Sequence, residues 1–110
     1  MKFLFLVCRD ETIEAMPGEI PRAVEPWLQD VQSRGVLLQG QPLEPSSNAV
    51  TIRVREGEVI VRDGPFADTT ESIVGFDIVE CEGMEEAVEE ARRHPMAPFG
   101  SVEVRAFESS

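Results

Sequence analysis

Six residues near the start of the chain, Phe3-Leu4-Phe5-Leu6-Val7-Cys8, are apolar without a break. A strand sends alternate side chains to opposite faces, so a run with no polar position needs cover on both sides. Helices of the same chain can cover one face; the other needs something else. The run is too short for the apolar core of an export signal, and Arg9-Asp10-Glu11 stands where a small-residue cleavage site would belong. A buried strand over residues 2–8 is the expectation, in a protein expected to reside in the cytoplasm.

The remaining chain alternates helical and strand patterns. Ile20, Val24, Trp27, Leu28 and Val31 recur at helical spacing, which predicts a helix over residues 20–34, stopped by Gly35 in a left-handed conformation. Pro26 removes a helical hydrogen bond at a cost of about 3 kcal/mol, so a kink is expected there, or a helix that begins there. A short strand follows over 36–40, then a loop rich in Pro and Ser over 41–48. Val50, Ile52 and Val54 alternate with polar residues, Glu56-Gly57 makes a turn, and Val59 and Val61 return. That is a hairpin. Val74, Phe76 and Ile78 alternate in a strand over 73–81. Met84, Ala87, Val88 and Ala91 mark a helix ended by His94-Pro95, and Val102, Val104 and Ala106 mark the last strand.

Without the hairpin, the order is β-α-β-β-α-β. This predicts one α+β domain with a ferredoxin-like split β-α-β topology and an inserted β-hairpin. Its antiparallel sheet carries two helices on one face. A chain of 110 residues has room for one such domain. The opposite face of the sheet is bare, and the two-sided apolarity of the first strand predicts a homodimer that covers it.

Charge narrows the partners. The chain carries a net −11, with a single lysine, Lys2, and its arginines scattered among acids. Phosphate recognition needs clustered cations, so direct nucleic-acid binding and attachment to an anionic membrane are not expected. Cys8 and Cys81 form no disulfide framework, and nothing has the spacing of a zinc site. No metal or cofactor is expected. In the inferred sheet the two cysteines fall at opposite ends and remain free thiols.

Asp63-Gly64-Pro65-Phe66 leads from the hairpin to the next strand. With Gly35-Val36, Gly40, Leu43, Pro45, Gly75-Phe76, Glu86-Ala87, His94-Pro95 and Val102-Glu103-Val104-Arg105, it resembles the DGPF-type branch of the YCII-related proteins over nearly the whole chain. The resemblance implies a ferredoxin-like domain that pairs into a dimeric α/β-barrel-like assembly around a shared cleft. Genes of the family often lie beside those of extracytoplasmic-function sigma factors, which implies a regulatory link. Better-studied relatives carry a His and an Asp proposed as catalytic. With one histidine at the end of the second helix, that pair is not carried over to this chain. Thr70 stands where the family usually has Lys before the glutamate, which takes a partner from Glu71.

Each candidate site residue has a structural and a chemical reading. Asp63 can fold its carboxylate back onto the amides of Phe66 or Ala67 to hold a turn, or stand at a cleft mouth as a proton acceptor. Gly64, Pro65 and Phe66 would line that cleft, with Phe66 packed underneath. Glu71 shares the ambiguity. His94 can bond the last carbonyls of its helix or serve in acid–base chemistry. Glu80, Glu82, Glu85, Glu86, Glu89 and Glu90 read as a solvated face, with Glu89 paired to Arg93 one turn on. Two functions follow: a small dimeric binding or regulatory module with a possible small-molecule ligand, or an enzyme acting on a small polar metabolite through Asp63, Glu71 and His94 between subunits.

Overall fold

In the computed structural model, which describes residues 1–109, the chain runs β1 (Lys2–Asp10), α1 (Glu19–Ser33), β2 (Leu37–Pro42), β3 (Val50–Arg55), β4 (Glu58–Asp63), β5 (Glu71–Glu80), α2 (Met84–Arg92) and β6 (Gly100–Ala106). β1 lies inside a four-stranded antiparallel sheet of order β2-β5-β1-β6, while β3 and β4 form a separate two-stranded sheet. This is the expected ferredoxin-like α+β arrangement with an inserted hairpin.

Pleating explains the core. Phe3, Phe5 and Val7 point to the helices and are buried, while Leu4, Leu6 and Cys8 point the other way and stay half-buried. Val79 of β5, Val31 of α1 and Ala87 and Ala91 of α2 complete the inner cluster. The strand over 73–81 differs from its sequence pattern in phase. Gly75, Asp77 and Val79 are the buried positions, while Phe76 and Ile78 lie with Leu6 and Leu4 on the open face. Val74 sits at a bulge where the register with Val7 and Cys8 slips, and packs towards the core. The more apolar side of this strand therefore faces away from the helices.

α1 runs unbroken through Pro26, so the expected alternative of a helix starting there does not hold. Arg22 and Pro26 both lie on the exposed side, where water can replace the missing N–H donor. After α1, Gly35 takes φ 69° and lets the chain turn into β2, as expected. The acids of α2 are not all solvated. Glu90 is buried and accepts two hydrogen bonds from Arg34, at 2.8 and 2.9 Å, which ties the two helices together. Glu89 pairs with Arg92, not with Arg93, because three residues on is also one helical turn; Arg93 turns to Glu90 instead.

The hairpin turns at Glu56 and Gly57, both with positive φ, as a two-residue type I′ connection requires. Cys8 lies opposite Ile73, whereas the amide of Cys81 bonds the carbonyl of Met1 at the far end of the sheet. Both thiols are free. Among the described residues, no helix is long and apolar enough to cross a membrane.

Candidate active site

α1 is seated on the core through Val31, but Ile20, Val24, Trp27 and Leu28 are only half-buried. They wall a cavity of about 380 Å³ between α1 and the β2–β5 side of the sheet. The opposite wall includes Val7 and Val74, so the lining is mostly apolar. Three ionisable side chains break it: Arg9, Asp77 and His94.

Asp77 and His94 are both buried, and His94 Nε2 lies 3.1 Å from Asp77 Oδ2. The fold supplies the contact. β5 turns Asp77 inward, and the segment after α2 brings His94 over it, with Pro95 and Met96 buried alongside. The amide of Met96 donates to His94 Nδ1 at 3.0 Å. With that lone pair occupied, the ring proton sits on Nε2, which donates a hydrogen bond to Asp77 Oδ2. Trp27 holds the imidazole from the side, ring centroids 4.4 Å apart at 55°. Its own indole N–H is buried without an acceptor among the described residues.

Asp77 has a second oxygen. Oδ1 lies over Gly40 so closely that a Cβ there would stand 2.2 Å from it. Gly40 is thus the residue that makes room for the carboxylate. Oδ1 has no hydrogen-bond partner among the described residues. Arg9 is fixed by donating to the carbonyls of Phe99 (3.0 Å), Ile13 (2.7 Å) and Asp10, and it places a positive charge at the cavity wall.

Of the three acid–base candidates expected from sequence, only His94 lies here. Its side chain does not bond the carbonyls of its helix, because Asp77 and the Met96 amide occupy both ring nitrogens. Asp63 is exposed at the end of β4, and its carboxylate makes no hydrogen bond among the described residues. The loop after it is held by others: the Gly64 amide donates to the Ala49 carbonyl (2.7 Å), Thr51 Oγ1 to the Gly64 carbonyl (2.8 Å), and Arg53 to the Phe66 carbonyl (3.1 Å). The turn-holding role expected of Asp63 is therefore filled by backbone and neighbours. Gly64 has φ 105°, a glycine conformation. Phe66, expected to pack underneath, is 70% exposed, and none of Gly64, Pro65 and Phe66 lines the cavity. Glu71 is exposed at the start of β5 and accepts a hydrogen bond from Ser101 Oγ at 2.8 Å. The acid that does meet His94 is Asp77, which sequence reasoning missed. An aspartate between Phe76 and Ile78 passes for an outward polar position unless the strand's phase is known.

Among known proteins, 65 residues of this chain are 45% identical to "Uncharacterized protein R00369" of Rhizobium meliloti (strain 1021), covering 57% of this chain and 52% of that one. The chain thus spans about half the length of this curated relative. By structure it is similar to the 5-chloro-2-hydroxyhydroquinone dehydrochlorinase TftG of Burkholderia phenoliruptrix AC1100, solved with 2,5-dihydroxybenzoquinone. The TM-score is 0.51 at 18% identity, over 100% of this chain and 96% of that one, a likeness of fold. The model of the YCII-related domain matches residues 1–108, and the chain belongs to that family.

Proposed function

We propose that the chain is an acid–base enzyme in which Asp77 takes a proton from a small, flat, largely apolar substrate. The observation that carries this reading is the buried Asp77–His94 pair at an otherwise apolar cavity. Burial of such a pair is costly unless its groups are mutually satisfied, and a pair that keeps one carboxylate oxygen free at a cavity is organised for proton transfer. His94 fixes the carboxylate through Nε2–H, Oδ1 accepts the proton, and Arg9 favours the anion that forms. A cavity of this size takes one ring with a few substituents, and its lining supports an apolar body over a strongly polar one. The name of the structural neighbour, a dehydrochlorinase of a hydroxylated chloro-ring, is in keeping with this substrate class.

The Asp63-Gly64-Pro65-Phe66 segment supports a place in the DGPF-type branch. The open sheet face bearing Leu4, Leu6, Phe76 and Ile78 supports pairing with a second copy, each subunit losing on the order of 800 Å².

The test of the site uses 2,5-dihydroxybenzoquinone in calorimetry and loss of 5-chloro-2-hydroxyhydroquinone as the reaction. Wild-type protein should bind the first and consume the second. Asp77→Asn should lower turnover by on the order of 10²-fold or more, and His94→Asn should do likewise. Asp63→Asn should match wild type. Unchanged binding and turnover in both site variants would overturn the proposal.

A further inference from the structure

The hairpin is the part of the molecule that its own fold leaves unsupported. Register places Val50, Ile52 and Val54 of β3 on the same face as Val59 and Val61 of β4. All five are exposed, by 57 to 67%. The two strands pair with each other and with no strand of the main sheet. An isolated two-stranded hairpin is at best marginally stable in water, and needs a third layer against its apolar side. Five aliphatic side chains in one patch offer on the order of 500 Å², the size of the largest apolar patch on a typical monomer, which is often functional.

The shape of the chain points the same way. Its radius of gyration is 15.8 Å, against about 13 Å for a compact domain of this length, and its extents are 47 × 42 × 18 Å. It is a thin slab with the hairpin as an arm.

Charge identifies the occupant. Within residues 50–63, Arg53, Arg55 and Arg62 balance Glu56, Glu58 and Asp63, so the whole net charge of −11 resides in the rest of the chain. Two such bodies repel each other, and the neutral arm is the segment that can bridge them without adding to the repulsion. On the arm's second face, Arg53, Arg55 and Arg62 outnumber Glu58, which suits an acidic neighbour. Two arms, with the surface each covers, reach the order of 1,600 Å² of a standard stable interface.

We infer that the β3–β4 arm is an intersubunit clasp, whose aliphatic face is covered by a second copy of this chain. The inference rests on the pairing proposed above, and adds to it where the grip lies. Light scattering and sedimentation should give a dimer for wild type at about 10 μM. Ile52→Glu/Val61→Glu places two charges on the clasp and should raise the dimer dissociation constant at least tenfold. Near-ultraviolet dichroism of Trp27 should show that the body remains folded. As a measurement without mutation, amide exchange of residues 50–63 in wild type should slow as concentration carries the protein from monomer to dimer. A wild-type monomer at this concentration would overturn both the pairing and the clasp. A wild-type dimer that the double variant leaves equally tight, or whose arm amides exchange independently of concentration, would overturn the clasp alone.

Discussion

At the scale of single residues, Gly64 and Gly40 differ in what they protect. Gly64 protects a backbone conformation, and nothing lies within 4 Å of where its Cβ would stand. Gly64→Ala should therefore cost about 1–2 kcal/mol from the positive φ alone, seen as a lower melting temperature. Asp63→Ala beside it should leave the melting curve within about 0.5 kcal/mol of wild type, since the carboxylate holds no hydrogen bond. Gly40 protects the site. Gly40→Ala must push Asp77 Oδ1 away, so affinity for 2,5-dihydroxybenzoquinone should fall at least tenfold, whatever the change in stability. His94 was legible as a candidate because it is the chain's one histidine, whereas Asp77 was hidden by a strand whose apolar residues fill the outward phase. Asp63 drew notice through its place in a tetrapeptide, but that segment serves the base of the arm.

At the scale of elements, most boundaries were legible because helix and strand periods differ and turn residues stand between them. Pairing across elements was less so, since it depends on which side chains the helices bring together. Arg34 and Glu90 are 56 positions apart, and no local pattern joins them. Hydrogen bonding to Arg34 holds the Glu90 carboxyl below its ordinary value of 4.5, against the opposing effect of burial. A depressed folded-state value means that the stabilisation is present above the unfolded value. It is lost as pH falls through the folded one. Arg34 is partly open to solvent, which limits the contribution, so Glu90→Gln should cost about 1–2 kcal/mol at pH 7. Urea unfolding at pH 7, 4 and 3 should show the wild-type advantage shrinking with acid. A difference independent of pH would deny the ion pair its role.

At the scale of the molecule, the antiparallel order of β1 and β5 separates the cysteines, and burial raises both thiols above their ordinary range. Titration of unfolded, unreduced protein should count two thiols per chain, and the native protein should react slowly at neutral pH. The order of elements made this topology legible in the sequence. The gap between α1 and the sheet was not, because α1 reads as a fully packed amphipathic helix although only Val31 of its apolar face is buried. That gap holds the proposed site, in which His94 fixes the Asp77 carboxylate through Nε2–H. The chain's single histidine makes this arrangement directly measurable by multiple-bond ¹H–¹⁵N correlation of the imidazole at neutral pH. The hydrogen bonds predict an imidazole that carries its proton on Nε2 and accepts from the Met96 amide at Nδ1, and whose Nε2 signal shifts in Asp77→Asn. A ring protonated at Nδ1, or an Nε2 signal indifferent to Asp77→Asn, would contradict it.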